Sequence, residues 1–500
     1  MPSNPFYDLI VVGAGMGGLA TAALAANFGL KTALLEAHTK VGGCAGYFSR
    51  QEWTFDVGAT ALMGLNRGEP IGDLLGTLQI PFQAQKTSTY RVVLPDRTFD
   101  IDADPTRFEN RAIAAFPDLN PKALLDFWKL QYKVGGSLFQ AAAKIPRFPI
   151  HKFSDLTHNL AILGFSGSAY SALAATTVLN VLKFFGLDQD RSFYALISML
   201  LQDTAQAGAE TVPFATAAAC LQAYRMGMSR PIGGMKALVE GIARRFVELG
   251  GDLRAATLVD RVRSNDDGTF SVTTRRRGEP LRTRRVAFNL PLDLASRLLD
   301  RPLEGRLETL EKRSRAVWSA FTAYLAIDRG AVPDDSPLFH QVLRDYDQPI
   351  HDGNNVLISL SPIGDSGYAP PHARAATLST HVDPAEWIGL GEDDRESKKR
   401  EYGDRMIRAL GRALPNAPAA LIYGEFATPR AFERYTRRTD GRVGGAPAGL
   451  WNGHVFAVGS DVLGKGLWVV GDSVFPGQGT LATVVSAIRA VERITGISWK

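Results

Sequence analysis

A buried strand that runs directly into a cluster of glycines opens the chain and restricts what it can fold into. Residues 9–12, Leu-Ile-Val-Val, form a continuous apolar run of the kind that is buried on both faces of a parallel sheet. Residues 13–18, Gly-Ala-Gly-Met-Gly-Gly, follow at once, and the alanine-rich residues 19–28 are typical of a helix. A second apolar run, residues 32–35, ends at Glu36. This order predicts a βαβ unit and an α/β fold.

The spacing of the glycines matches that of a dinucleotide-binding turn. Gly13 allows the tight turn, Gly15 lets the backbone approach a pyrophosphate, and Gly18 lets helix and strand pack closely. The helix N-terminus presents free N–H groups and a partial positive charge to the phosphates. Glu36 follows about 20 residues later, where a carboxylate accepts hydrogen bonds from both hydroxyls of an adenosine ribose. Because a carboxylate repels a 2′-phosphate, the pattern predicts FAD or NAD.

A second acid followed by a glycine turn, near the C-terminus, distinguishes these two cofactors. Residues 467–472, Leu-Trp-Val-Val-Gly-Asp, predict a strand that ends in an acid. Residues 477–481, Gly-Gln-Gly-Thr-Leu, then lead into a helix expected to reach Ile494. An acid can hold the ribityl hydroxyls of a flavin, and a helix N-terminus stabilises negative charge at its ring. A nicotinamide dinucleotide needs neither feature, so the pattern favours FAD.

Short motifs are distributed from one end of the chain to the other. They are residues 42–48 (GGCAGYF), 55–60 (FDVGAT), 231–235 (PIGGM), 427–430 (ATPR), and 471–473 with 479–480 (GDS and GT). Together they resemble the motifs of the carotenoid desaturase and isomerase family within the flavin amine oxidase superfamily. Many relatives carry arginine after the glycine pair, whereas this chain has Cys44. The cysteine form is more similar to the branch that contains carotenoid 3′,4′-desaturases and carotene isomerases.

This resemblance implies a two-lobed fold, with a Rossmann-like FAD-binding domain of the GR2 type and a substrate domain of helices and an antiparallel sheet. It implies that FAD is bound without a covalent link between the turns at Gly13 and Gly479, with the backbone of Val259 at the adenine. The expected cofactor-binding residues are Gly13, Ala14, Gly15, Met16, Gly18, Glu36, Ala37, Gly42, Gly43, Cys44, Gly58, Ala59, Thr60, Val259, Gly471, Asp472, Gly479, Thr480 and Leu481.

Changes of pattern along the chain predict how the lobes alternate. We expect FAD-binding segments at residues 1–104, 230–300 and 451–500, a helical substrate and membrane-docking region at 105–229, and a substrate domain with an antiparallel sheet at 301–450. Within the second FAD-binding segment, a helix at 236–249 precedes strand-like runs at 258–262, 270–274 and 286–289.

The resemblance also implies a long apolar polyene as substrate, a carotenoid drawn from the membrane, with quinone or oxygen as electron acceptor. The leading hypothesis is an FAD-dependent desaturase that removes two hydrogens from an acyclic or end-group C–C bond. A carotene cis-trans isomerase that uses reduced FAD, a polyene saturase and an oxidase of a terminal methyl group are alternatives. A non-enzymatic carrier of prenylated proteins shares the fold, but it has no reason to keep the glycine turns and acids of an FAD site.

A long uncharged window between Asp155 and Lys183 is a candidate membrane span. It exceeds the roughly 20 residues that cross a bilayer, but glycine, serine, threonine and asparagine interrupt it, which favours a buried or interfacial helix pair. Cations and aromatic rings beside it suit the headgroup layer of a membrane, and snorkelling lysines over a helical core are the alternative. These residues are Lys144, Arg147, Lys152 and Lys183 with Phe148, Phe153, Phe184 and Phe185.

Composition restricts the other functions open to the chain. Lys and Arg total 56 against 51 Asp and Glu in 500 residues, and the net charge of +5 falls short of a nucleic-acid footprint. Two cysteines, Cys44 and Cys220, cannot form a disulfide framework, which favours a reducing compartment. Residues 1–8 lack the pattern of a signal peptide, so we expect the mature chain to start there and the protein to be cytoplasmic and peripherally membrane-associated.

The sequence assigns no catalytic acid or base. A polyene delocalises the charge left when a hydride departs, so a strong protein base is not required. Candidates, each with a surface charge or salt bridge as the alternative, are Asp203, Glu210, Arg225, Glu425 and Arg430. The absence of ligand spacing among His340, His351, His372, His381 and His454 predicts that no metal is bound. The arginines of residues 275–285 predict a solvated hairpin, with phospholipid contact as the alternative.

Overall fold

A computed structural model describes residues 5–150, 152–275, 278–314, 318–452 and 457–499; Arg276, Arg277 and His454 lie outside these ranges. The strands are β1 (Phe6–Tyr7), β2 (Leu9–Val12), β3 (Thr32–Leu35), β4 (Tyr47–Arg50), β5 (Trp53–Asp56), β6 (Ala84–Lys86), β7 (Thr89–Val93), β8 (Thr98–Asp102), β9 (Ser229–Pro231), β10 (Asp252–Arg254), β11 (Val259–Ser264), β12 (Phe270–Thr274), β13 (Leu281–Thr283), β14 (Val286–Phe288), β15 (Ser319–Asp328), β16 (Phe339–Leu343), β17 (Asn355–Leu360), β18 (Ala373–Val382), β19 (Leu421–Ala427) and β20 (Leu467–Val469).

The α-helices alternate with these strands along the chain. They are α1 (Met16–Asn27), α2 (Pro70–Thr77), α3 (Pro105–Ala115), α4 (Pro121–Ala143), α5 (Phe153–Ala169), α6 (Val178–Phe185), α7 (Arg191–Ala205), α8 (Phe214–Met226), α9 (Gly234–Glu248), α10 (Leu292–Leu298), α11 (Gly305–Ser314), α12 (Glu392–Ala413), α13 (Pro429–Thr436) and α14 (Thr480–Thr495).

A five-stranded parallel sheet, in the order β10-β3-β2-β14-β20, carries the predicted βαβ unit. Leu9 and Val11 of β2 pack against a layer of helices that includes α1, α9 and α14, whereas Ile10 and Val12 face the opposite side. This burial of both faces explains the unbroken apolar run. The C-terminal strand is shorter than predicted because Gly471, with φ of +101°, lies beyond its end at Val469.

A four-stranded sheet, in the order β1-β13-β12-β11, covers the other face of the parallel sheet. The runs expected at residues 258–262 and 270–274 form strands of this covering sheet. Strands β12 and β13, which flank residues 275–280, pair antiparallel, in agreement with the predicted hairpin. Arg282 and Arg284 at its end form exposed ion pairs with Asp267 and Asp8, at 2.6 and 3.0 Å.

A seven-stranded sheet, in the order β19-β15-β18-β17-β16-β7-β8, is antiparallel except between β16 and β7. Helix α12 packs on one face of this sheet. The expectation that all of residues 1–104 belong to the FAD-binding domain is wrong, because strands β7 and β8 extend this seven-stranded sheet. The physical reason is that Tyr90, Val92, Phe99 and Ile101 alternate along them and pack into the helical core.

The helical region, α3 to α8, is built around an aromatic cluster. Trp128 stands edge-on to Phe108 and Phe193, with ring centroids 5.0 and 5.9 Å apart. In the uncharged window, α5 is interrupted at Gly164, whose φ is +65°, and α6 is a separate helix that begins at Val178. Within the described ranges, no helix has both the length and the apolar character needed to cross a bilayer.

Candidate active site

A cavity of about 2390 Å³ extends from the carboxyl ends of the parallel strands to the helical region and the seven-stranded sheet. Typical small-molecule pockets measure about 300–1,000 Å³, so this cavity has room for a dinucleotide and a further long ligand. Its helical wall is formed largely by apolar side chains, which include Val134, Leu138, Phe139, Ala142, Phe148 and Ile162.

The first glycine turn lies at the end of β2 and forms part of the cavity wall. A Cβ atom on Gly18 would lie 2.0 Å from the carbonyl oxygen of Gly13, and one on Gly15 would lie 2.6 Å from Nδ2 of Asn289. Neither contact is possible for a larger residue without moving the backbone or the asparagine. Gly15 precedes α1 and offers no side-chain cap, so the N–H groups of the first helical turn are open to an anionic ligand.

Glu36 lies beside this turn at the end of β3. Its Oε2 accepts a hydrogen bond from the backbone N–H of Ala14 at 2.7 Å, and its Oε1 accepts one from the N–H of His38 at 2.8 Å. Burial raises the pKa of Glu36, while these two N–H groups oppose that shift. The carboxylate therefore has a fixed orientation at the cavity wall, where further lone pairs can accept from a ribose.

A second glycine turn, residues 42–44, lies directly against the first. The N–H of Gly42 donates to the carbonyl of Ala14 at 2.8 Å, and a Cβ on Gly43 would lie 3.3 Å from Cα of Gly15. The N–H of Ala59 donates to the carbonyl of Cys44 at 3.0 Å, which brings residues 58–60 to the same wall.

The C-terminal turn completes this end of the cavity. A Cβ on Gly17 would lie 3.1 Å from Cα of Gly471, so the C-terminal segment adjoins the start of α1. The Asp472 carboxylate forms an ion pair with Arg438, with Oδ2 and Nη2 2.5 Å apart. Gly479, with φ of +97°, precedes α14 and offers no side-chain cap, which leaves a second helix N-terminus open to the cavity.

The cavity therefore brings together most of the sequence-predicted cofactor residues. Gly13, Gly15, Met16, Glu36, Ala37, Gly42, Gly43, Cys44, Gly58, Ala59, Thr60, Val259, Gly471, Asp472, Gly479, Thr480 and Leu481 line it. Ala14 and Gly18 do not: the Ala14 N–H is engaged by Glu36, and Gly18 packs behind the turn on Gly13.

Asn289 and Arg438 are among the lining residues that were not predicted from sequence. Asn289 follows β14, and polar residues at the carboxyl end of a parallel strand are a signal that could have indicated it. Arg438 lies in a loop after α13, where no local pattern marks it.

Asp203 is the candidate acid–base residue that lies on the helical wall of the cavity. It receives a hydrogen bond on Oδ2 from the hydroxyl of Tyr224 at 3.1 Å, and burial raises its pKa from 3.8 to about 6. The next residue, Thr204, accepts a hydrogen bond on its carbonyl from the side chain of Gln478 at 2.5 Å. Asp203 therefore lies where the helical wall meets the C-terminal glycine turn.

Each of the other four candidates interacts with a neighbouring side chain. Glu210 is exposed and receives a hydrogen bond from Tyr194, and Arg225 is buried, with its guanidinium 3.9 Å from the Phe108 ring centroid. Burial lowers the pKa of Arg225 to about 10. Glu425 and Arg430 line the cavity but form ion pairs with Arg50 at 3.3 Å and Glu392 at 3.7 Å, respectively. Among the described residues, no group of three or more metal-ligating side chains could hold an ion.

The fold and this cavity define a two-lobed, dinucleotide-binding oxidoreductase. The model of the family described as flavin containing amine oxidoreductase matches residues 16–436, and the chain belongs to this family. It is 24% identical to a chloroplastic prolycopene isomerase of Daucus carota over 511 residues, which cover 98% of this chain and 80% of the relative. It is 23% identical to a lycopene-forming phytoene desaturase of Pseudescherichia vulneris over 515 residues, which cover 96% and 97%.

The solved structures confirm the fold. The crystal structure of an oxidoreductase from Methanosarcina mazei superposes with a TM-score of 0.65 at 15% identity, covering 97% of this chain and 100% of the other. A flavin-containing family with a dinucleotide-binding turn implies FAD as the cofactor. The site fits this group, since two uncapped helix N-termini suit its anionic parts and the Glu36 carboxylate suits its ribose.

Proposed function

We propose that this protein is an FAD-dependent carotenoid desaturase, which removes two hydrogens from an acyclic or end-group C–C bond. The observation that carries the proposal is the continuity of the cavity, from the two glycine turns to the apolar helical wall. An extended polyene can lie along that wall with one bond at the flavin end. The carotenoid names of the similar proteins agree with this assignment.

The cofactor and the protein chain make different contributions to the reaction. Bound FAD supplies a two-electron acceptor for the hydrogen that leaves with its bonding pair. The apolar wall aligns the polyene and excludes water, so that the cation left on the chain is not captured. Asp203 is our candidate for receiving the proton lost from the neighbouring carbon, because it lines the cavity, its pKa is raised to about 6 and Tyr224 donates a hydrogen bond to it. We propose quinone or oxygen as the final electron acceptor.

Carotene isomerisation is the second candidate, favoured by the match to prolycopene isomerases over 98% of this chain. The two reactions differ in the mass of the product. Incubating the FAD-loaded protein with an acyclic carotene in liposomes and a quinone, followed by chromatography and mass spectrometry, separates them. Desaturation lowers the mass by two hydrogens per new double bond, whereas an isomer of unchanged mass would contradict it. A colourless protein that takes up no FAD would favour the carrier of prenylated proteins.

We also propose that the protein acts in the cytoplasm, bound to the membrane surface that stores its substrate. Phe153 and Phe184 are 79% and 83% exposed, beside the exposed Lys152 and Lys183. Phe148 and Phe185 differ from this expectation: Phe148 turns inward onto Phe475 and lines the cavity, and Phe185 packs on Phe127. Phe153 begins α5, the helix that contributes Ile162 to the cavity wall, which suits entry of a polyene from a bilayer there.

A further inference from the structure

We propose that Arg438 is a cofactor-binding residue, which supplies the positive charge that the glycine-pair segment lacks at Cys44. The inference rests on FAD as the cofactor and is independent of which polyene the enzyme uses. No sequence motif indicates this contact between the chain and the anionic part of FAD.

The position of the Arg438 guanidinium is fixed by two partners. Its Nη2 pairs with Oδ2 of Asp472 at 2.5 Å, and its Nη1 donates to the carbonyl of Gly444 at 2.8 Å. Side-chain exposure is 14% for Arg438 and 16% for Asp472, and both residues line the cavity. The cation is thus largely removed from solvent yet faces the space that the cofactor occupies.

Arg438 also lies within electrostatic range of Cys44. Burial raises the pKa of the Cys44 thiol, and the charge of Arg438 opposes that shift. The thiol therefore stays protonated and carries no charge at neutral pH. After the glycine pair, this chain therefore has a neutral side chain, with a guanidinium from another loop close by.

The segments that hold Cys44 and Asp472 both adjoin the start of α1. Gly43 packs against Gly15, and Gly471 packs against Gly17, at 3.3 and 3.1 Å from the respective Cβ positions. A guanidinium between these segments is therefore placed beside the turn that suits a pyrophosphate. Arginine presents several N–H donors in one plane, so pairing with Asp472 leaves donors for a phosphate or ribityl oxygen.

Charge balance gives the physical reason for a cation here. Each phosphate of the pyrophosphate is anionic, Asp472 adds a carboxylate, and a helix N-terminus contributes only about half a positive charge. Burying the phosphates and the Asp472 carboxylate without a nearby cation would oppose FAD binding. Arg438 offsets both the carboxylate and the incoming phosphates.

The test measures FAD affinity of the FAD-free protein from quenching of FAD fluorescence, with thermal unfolding of the same FAD-free samples recorded in parallel. Arg438→Gln is expected to weaken FAD binding at least about tenfold, as for loss of a charge-assisted hydrogen bond. Arg438→Lys should retain much of the affinity, because it keeps the charge. Arg400→Gln is the matched control, since Arg400 is exposed on α12 and does not line the cavity.

A second experiment moves the positive charge from position 438 to position 44. Adding Cys44→Arg to Arg438→Gln should recover FAD affinity, and no recovery would contradict the proposed replacement of a cation at Cys44. Unchanged affinity in Arg438→Gln would overturn the proposal. An equal loss in Arg438→Lys would also overturn it, because FAD binding would then not depend on the positive charge. Since only FAD binding is read, these outcomes do not depend on carotenoid turnover.

Discussion

The carboxylate of Asp56 accepts a hydrogen bond from the backbone N–H of Met235 at 2.8 Å and so joins two segments far apart in the sequence. The hydroxyl of Tyr368 donates to its other oxygen at 2.7 Å, and Nη2 of Arg230 lies 3.3 Å from that oxygen. Asp56, Arg230 and Tyr368 are each at most 1% exposed. The motifs at residues 55–60 and 231–235 therefore meet at one buried carboxylate, which holds the start of α9 against β5.

Replacing Asp56 with alanine would leave the Arg230 guanidinium buried without its anionic partner. We expect Asp56→Ala to lower the free energy of unfolding by about 3–5 kcal/mol, and Asp56→Asn to lower it less because the amide oxygen can still accept from Met235. Denaturant unfolding of the FAD-free protein measures this, with the exposed Asp335→Ala as control. A loss below about 0.5 kcal/mol in Asp56→Ala would show that the pair does not stabilise the fold.

Local patterns predicted the parts of the site that depend on consecutive residues. The strand, turn and helix at residues 9–27 follow from an apolar run and glycine spacing, and both are visible in the sequence. Arg438 could not be predicted, because its place beside Asp472 depends on how the loop after α13 packs. Strands β7 and β8 likewise joined the distant sheet through pairing with β16, a long-range contact that periodicity does not specify.

Two glycines in helical segments should respond oppositely to alanine. In Gly18→Ala the new Cβ would meet the Gly13 carbonyl at 2.0 Å, so the first turn must shift and FAD binding should fall sharply. Gly136→Ala in α4 meets no atom within 4 Å and should raise the free energy of unfolding by up to about 1 kcal/mol through helix propensity. FAD titration and denaturant unfolding of both variants provide the comparison. Wild-type FAD affinity in Gly18→Ala would refute the requirement for a glycine there.

Glu36 should contribute to FAD affinity through its orientation at the cavity wall. A charge-assisted hydrogen bond contributes about 1.5–3 kcal/mol, so Glu36→Ala should weaken FAD binding about 10- to 100-fold. The loss is measured by FAD titration, with the exposed Glu52→Ala as control. If both variants bind FAD equally well, Glu36 does not contact the cofactor.

The carboxyl of Asp203 should make stability depend on pH. Its pKa is raised from 3.8 to about 6 in the folded state, so the folded protein binds this proton more tightly than the unfolded chain does. The associated stability is complete below about pH 4 and is lost as pH rises through 6. Since one pKa unit corresponds to about 1.4 kcal/mol, the charged carboxylate costs up to about 3 kcal/mol at pH 8.

Asp203→Asn removes this titration. We therefore expect the variant to gain stability relative to the parent protein between pH 5 and pH 8, as measured by urea unfolding at both values. An identical difference at the two pH values would mean that Asp203 titrates normally. If Asp203 also receives the substrate proton, the same variant should lose desaturation activity despite its greater stability.

Membrane binding should depend on the two exposed phenylalanines. We expect the double variant Phe153→Ser and Phe184→Ser to co-sediment several-fold less with anionic liposomes. It lacks the two exposed rings that are expected to insert into the headgroup layer. Ile388→Ser is the matched control, since Ile388 is 60% exposed outside the helical region. Equal sedimentation of the double variant and this control would place the docking surface elsewhere.

The central claim, oxidation of a polyene by the bound flavin, is tested most directly by anaerobic mixing of the FAD-loaded protein with liposomes that hold an acyclic carotene. Flavin absorbance and the polyene spectrum are followed together. Our account predicts bleaching of the oxidised flavin in step with a red shift of the polyene bands, as two electrons leave the substrate. A flavin that stays oxidised, with a polyene change only after the flavin has been reduced beforehand, would contradict it and favour isomerisation or saturation.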